Sequence, residues 1–200
     1  MTEIDAKMVS SLRKQTGAPM MDCKAALIEA NADMQKAVEV LRKKGLKSAD
    51  AKGDREVTEG MIFSYIHPPG KLGVLVEIAC ETDFVARNDE FQRFGTDICM
   101  HVAAMKPQYL TREEVPPEAL EREREVVLAQ TQKQMAGKPE DVIQKAVDGR
   151  MARFFADYCL LEQPFVKDDN ATVEELLKRL IAKTGENMRI RRFVRLELGG

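Results

Sequence analysis

Two apolar runs of period two, 61–67 and 72–79, flank Pro68-Pro69-Gly70-Lys71, and the next such run lies at the far carboxyl end, 188–198. The four central residues carry turn chemistry, so the first two runs read as a hairpin. A lone hairpin is marginal in water, so the terminal run must return to pair with it. The segments before Gly60 and between the runs have helical period instead. The pattern therefore predicts an α+β fold in which a small antiparallel sheet is closed by a long-range pairing and helices cover one face. Leu72, Val74, Val76 and Ile78 share one face of the second strand, and Leu75 implies partial burial of the other. In the terminal run Met188, Ile190, Val194, Leu196 and Leu198 read as one face. Arg189, Arg191, Arg195 and Glu197 read as the other, with Arg192 and Phe193 breaking the order.

The helical segments can be placed by their caps and breaks. Thr2 and Asp5 form a possible capping box before Ile4, Met8 and Leu12. Gly17-Ala18-Pro19 interrupts the pattern, with Pro19 suited to a first helical position, and Cys23, Ala26, Leu27 and Ala30 line a second helix. Asp33 can cap a third, carrying Met34, Ala37, Val38 and Leu41 and stopping at Gly45. Arg42, Lys43, Lys44, Lys47, Lys52 and Arg55 then form a basic stretch, either a solvated connection or a surface for an acidic partner. Asn88 can cap a long amphipathic helix of Phe91, Phe94, Ile98, Val102 and Met105, ended by Pro107. Thr111 and Glu114 make another box-like pair, and 118–135 reads as an exposed charged helix, a solvated face or alternatively part of a projecting helical hairpin that serves as a docking arm. Gly137-Lys138-Pro139 then turns the chain into the next helix. Gly149 is expected to interrupt the following helix, and Asp168-Asp169 to lie in a loop. Thr172 and Glu175 start a last helix that runs to Gly185. The resulting division is a three-helix domain with basic linker, 1–55, and an α+β core, 56–200, with a charged helical insertion near 111–160.

Function is bounded first by exclusion. Lys plus Arg number 31 against 33 Asp plus Glu, a net charge of −2, which argues against a simple basic nucleic-acid binder. No run of apolar residues approaches a bilayer span, and Met1-Thr2-Glu3-Ile4-Asp5 lacks the basic and apolar regions of a secretory signal. Cys23, Cys80, Cys99 and Cys159 are dispersed, so reduced thiols in a cytoplasmic protein are expected. Cys80, Cys99 and His101 lack a fourth ligand at recognisable spacing, so no metal is expected. Phosphate-cradling glycine loops, dinucleotide fingerprints, nucleophile elbows and zinc-protease motifs are absent. Cys99 and His101 point apart on a helix, so they do not make a nucleophile–base pair. No chemical catalysis, catalytic residue or cofactor is expected.

Thr82-Asp83-Phe84-Val85-Ala86-Arg87-Asn88 is more specific, because it resembles the signature of the elongation factor Ts family. Leu12-Arg13, Thr16-Gly17-Ala18 and Met20-Met21-Asp22-Cys23-Lys24 are similar to that family's amino-terminal signature. Glu162-Gln163-Pro164-Phe165-Val166 resembles its later loop, and Gly185-Glu186-Asn187-Met188 with Arg191-Arg192-Phe193 its terminal strand. Pro19 departs from the glycine more usual there. The resemblance implies a ubiquitin-associated-like amino-terminal domain docking on elongation factor Tu, with Arg13, Met20 and Met21 in contact. It also implies exchange of guanine nucleotide on that partner, with Thr82, Asp83, Phe84 and Val85 intruding near its magnesium and phosphates. Two adjacent methionines cannot share one helix face fully, so one of them is expected to be exposed. Longer family members repeat the core, which implies a homodimer here, with no direct binding of nucleotide, nucleic acid or membrane. A protein-binding adaptor without exchange activity, and an RNA-binding accessory using Arg189, Arg191, Arg192 and Arg195, are the alternatives.

Overall fold

The computed structural model describes residues 4–199. Its helices and strands run α1 (Ala6–Thr16), α2 (Met20–Glu29), α3 (Met34–Asp50), β1 (Glu59–His67), β2 (Leu72–Cys80), α4 (Asp83–Ala86) and α5 (Asp89–Met105). They continue as α6 (Pro117–Gln134), α7 (Glu140–Tyr158), β3 (Pro164–Phe165), β4 (Asp168–Thr172), α8 (Val173–Thr184) and β5 (Met188–Glu197). The expected sheet is present, in the order β1-β2-β5. Leu198 N donates to the Lys71 carbonyl at 2.9 Å, and Asn187 N to the Glu81 carboxylate, so β5 runs antiparallel to β2. Two compact units divide the chain. One gathers the chain up to Phe63, Glu77–Gly95 and Glu175–Arg191; the other gathers Ser64–Val76, Thr96–Glu174 and the chain from Arg192 on.

In the first unit, α1, α2 and α3 enclose Leu12, Cys23, Ala26, Leu27, Ala37 and Leu41, as their spacing predicts, together with Val9, which the spacing does not single out. Ile4 and Met8 pack partly buried against them. Asp5 caps α1 by accepting from Lys7 N and Met8 N, while Thr2 lies outside the described residues. Pro19 sits one position earlier than expected, as N-cap with ψ 146°, because its extended backbone leads into Met20. The helix α3 does not stop at Gly45 but runs on to Asp50. A Cβ at Gly45 would lie 3.3 Å from the Ala182 Cβ, so the glycine marks a close approach to α8. The basic stretch continues α3, and its charges find carboxylates within the unit. Arg42 Nη2 meets both Glu175 oxygens at 2.7 Å, Lys44 meets Asp22 at 2.6 Å, and Arg55 meets Glu81 at 3.5 Å. Phe63 and Phe91 pack with ring centroids 5.6 Å apart, at the buried start of α5.

In the second unit, α6 and α7 form a helical hairpin around Val127, Val147 and Met151, with Leu120, Leu128, Ile143 and Phe154 packed against them. Gly149 does not interrupt α7. The surrounding turns carry the helix through it, since a single interior glycine costs only about 1 kcal/mol. Asp168-Asp169 begins a strand rather than lying in a loop, and β4 pairs antiparallel with the two-residue β3. Thr111 does not close a capping box. Instead Glu114 Oε2 reaches back to Leu110 N at 2.8 Å. In β5 the inward phase slips by one residue. Met188 and Ile190 are buried, whereas Val194, Leu196 and Leu198, expected on the same face, are exposed and Phe193 and Arg195 turn half inward.

His101 is the buried polar centre of this unit. Its Nε2 is 2.9 Å from Gln163 Oε1, and its Nδ1 accepts from Val166 N at 3.2 Å. That pattern requires the neutral ring, protonated at Nε2. Burial lowers the His101 pKa from its ordinary value, against the opposing pull of the Gln163 bond. The unfolded chain therefore binds this proton more readily than the folded one. The associated stability is complete above the unfolded pKa of about 6.5 and is lost as pH falls below it. The urea midpoint should accordingly drop between pH 7.5 and pH 5, and His101→Gln should flatten that dependence. A Cβ at Gly149 would meet nothing within 4 Å. Gly149→Ala should therefore raise stability by about 0.5–1 kcal/mol in the same titration.

Candidate functional site

Immediately after β2 the chain makes one helical turn, α4, in the first unit. Thr82 is its N-cap, extended at φ −130° and ψ 156°, and its Oγ1 accepts from Val85 N at 3.4 Å. Val85 and Ala86 are buried, which turns the preceding side chain outward: Phe84 is 81% exposed. Asp83 is beside it and pairs with Arg87 at 2.9 Å, in water on both sides. A phenyl ring held in solvent forgoes roughly 1.5–3 kcal/mol of burial, which remains available to another surface.

Four residues remaining in an exposed turn need support, and it comes from outside. Glu186 accepts from Thr82 N at 3.1 Å and from Thr82 Oγ1 at 2.7 Å. Gln92 Nε2 donates to the Ala86 carbonyl at 2.6 Å and so holds the far end. Asn88 Oδ1 accepts from Glu90 N at 2.8 Å and starts α5, as its position predicts. Cys80 Sγ donates to the Thr82 carbonyl at 3.1 Å, and burial pushes this thiol up to about 11, so it is a buried packing group. Burial likewise raises Cys99 and Cys159 to about 11. Among the described residues no group of three His, Cys, Asp or Glu side chains is placed to hold a metal, and no helix is long and apolar enough to cross a membrane.

Arg13, Met20 and Met21 lie in the same unit on other elements. Arg13 is exposed on α1, and its carbonyl accepts from Gly17 N at 2.8 Å, where Gly17 ends the helix at φ 70°. Met20 and Met21 are both exposed, at 46% and 73%, where helix geometry led to the expectation of one. Both precede Cys23, the first inward-facing residue of α2. Ile28, which the sequence did not single out, is 58% exposed, seven residues from Met21 and on its side of the helix. One side chain reaches both regions. Lys183 pairs with Glu90 on α5, and its stem passes so close to Gly17 that a Cβ there would lie 2.7 Å from Lys183 Cε. Lys183 is not marked by local sequence, and the stretch Gly185-Glu186-Asn187-Met188 resembles the family without revealing what Glu186 does, because the partners of both side chains are distant along the chain.

The family model described as elongation factor TS matches residues 51–200. A protein of Carboxydothermus hydrogenoformans named elongation factor Ts is 57% identical over 196 residues, covering 98% of this chain and 89% of the relative. One of Fervidobacterium nodosum with the same name is 52% identical over 197 residues, covering 98% and 99%. A third, from Geobacter sulfurreducens, is 55% identical over 196 residues, covering 98% and 90%.

The exposure of Phe84 sets the expected outcome of its removal. Phe84→Ala should change thermal stability by less than about 0.5 kcal/mol, as at an ordinary surface position, against about 3–5 kcal/mol for a core phenylalanine. Thermal melting of the two proteins side by side measures the difference.

Proposed function

The chain belongs to the elongation factor Ts family and is a translation elongation factor; from that membership we propose that it exchanges guanine nucleotide on elongation factor Tu. The observation that carries the reading is a phenylalanine fixed in solvent on a turn braced at both ends. Such a factor performs no bond chemistry and needs neither cofactor nor metal. It binds the nucleotide-free partner more tightly than the nucleotide-bound one, and linkage makes the nucleotide bind correspondingly worse. Each 1.4 kcal/mol of that difference is tenfold in nucleotide affinity. Burying Phe84 on the partner offsets the distortion it imposes, and Asp83 brings a negative charge towards the magnesium and phosphate region. Thr82 and Val85 set the shape of the turn.

In this reading residues 1–55 act as a ubiquitin-associated-like docking module, with Arg13, Met20 and Met21 against the nucleotide-binding domain of elongation factor Tu. Residues 56–200 form the core that presents the turn. The protein works in the cytoplasm, where translation proceeds, and binds no GDP itself. Ile66, Leu75, Val194, Leu196 and Leu198 are exposed apolar residues of the second unit, and they support association of two chains through the core.

Release of labelled GDP from elongation factor Tu tests the function. The protein should accelerate release, and Phe84→Ala should reduce that acceleration by about tenfold or more. Binding without faster release would indicate an adaptor instead. Light scattering at micromolar concentration tests assembly: a dimer is expected, and a mass of 22.5 kDa with exchange retained would exclude it.

A further inference from the structure

We propose that Glu186 is the positioning residue of the Phe84 turn, fixing through Thr82 the shape in which the ring meets its partner. This rests on the exchange reading above. The turn α4 has only four residues, too few to hold a helical form unaided. Its own cap, Thr82 Oγ1 to Val85 N, is a long 3.4 Å. The Glu186 carboxylate makes the two shorter bonds, 2.7 Å to the hydroxyl and 3.1 Å to the amide of the same residue. A threonine hydroxyl has one proton to give. Once that proton is committed to Glu186, the oxygen lone pairs are free to face Val85 N, so the carboxylate sets both the backbone and the rotamer of the capping residue.

Glu186 is itself braced. The neighbouring Asn187 donates through Nδ2 to the carbonyls of Gly53, at 3.2 Å, and Arg55, at 2.7 Å, while its amide goes to Glu81. Arg55 Nη1 lies 3.5 Å from both Glu81 Oε1 and the Gly185 carbonyl. The segment after α3, the end of β2 and the start of β5 therefore meet at one polar node, and Glu186 is the member that reaches the turn. Recognition of an N–H and an O–H together requires two acceptors. A glutamine keeps one acceptor for Thr82 N but turns its NH2 towards Thr82 Oγ1, which must then accept instead of donate. Glu186→Gln therefore loses the charge-assisted hydroxyl bond and reverses the rotor that faces Val85 N, with little change in size.

The test uses the full chain and elongation factor Tu loaded with labelled GDP, with release followed across factor concentrations. Glu186→Gln should lower the maximal release rate at saturating factor by about tenfold or more. The half-saturating concentration should stay within about twofold, because docking through the amino-terminal helices is intact. In a Phe84→Ala background the same substitution should cause no further loss, a coupling that a general loss of stability would not produce. Hydrogen exchange at the Thr82 and Val85 amides should accelerate in Glu186→Gln. A wild-type rate for folded Glu186→Gln, or losses that multiply with Phe84→Ala, overturns the proposal while the exchange reading stands. If Glu186→Gln fails to fold, Thr82→Val removes the same hydroxyl bond, and a wild-type rate there overturns it equally. If the unaltered protein does not accelerate release, the exchange reading falls and the proposal with it.

Discussion

The antiparallel return of β5 to β2 is the constraint on which the first unit's exposed turn depends. It sets Glu81-Thr82 opposite Glu186-Asn187, and each side then caps an amide of the other: Glu186 takes Thr82 N and Glu81 takes Asn187 N. A strand pairing alone would satisfy ladder amides and stop at the sheet's end. Here the carboxylates extend the pairing one step past it, into a corner where the backbone would otherwise point unpaired groups at half-buried surroundings. The outward aim of Phe84 follows, because a corner held at Thr82 with Val85 and Ala86 buried leaves Phe84 no inward direction.

The parts of this fold that were legible in the sequence are those written in long periods. The hairpin, the three amino-terminal helices and α5 repeat their apolar residues often enough for the period to survive local exceptions. Single residues were less reliable guides. Gly45 and Gly149 both suggested helix ends, yet the first lets two helices approach and the second merely sits in open space within a helix. The β3–β4 ribbon was illegible because one strand has two residues and the other reads Asp168-Asp169-Asn170, a loop composition by any propensity. In β5 the alternation was visible, but the slip near Arg192 that exposes Val194 and Leu196 depends on packing that no local pattern encodes.

The candidate site divides in the same way. Its turn was found because a contiguous signature marks it, and the exposure of both methionines exceeded what helix geometry alone implied. Lys183 carries no local mark and Glu186 lies within a stretch that resembles the family, yet the role of neither is legible there, for a physical reason. A side chain that acts across a fold has ordinary neighbours in sequence, and its significance lies in a partner 104 positions away in one case and 93 in the other.

That separation has a consequence for how the molecule is made. The three-helix bundle closes over its apolar residues within the first fifty positions and needs nothing synthesised later for that packing. The Phe84 turn cannot take its final shape until Glu186 leaves the ribosome, about 5–20 s after Thr82 at ordinary rates of chain elongation. During that interval β2 has its hairpin partner but an open edge on the side that β5 will occupy. In each newly made copy, the exposed turn that carries Phe84 is therefore among the last parts of the surface to be assembled.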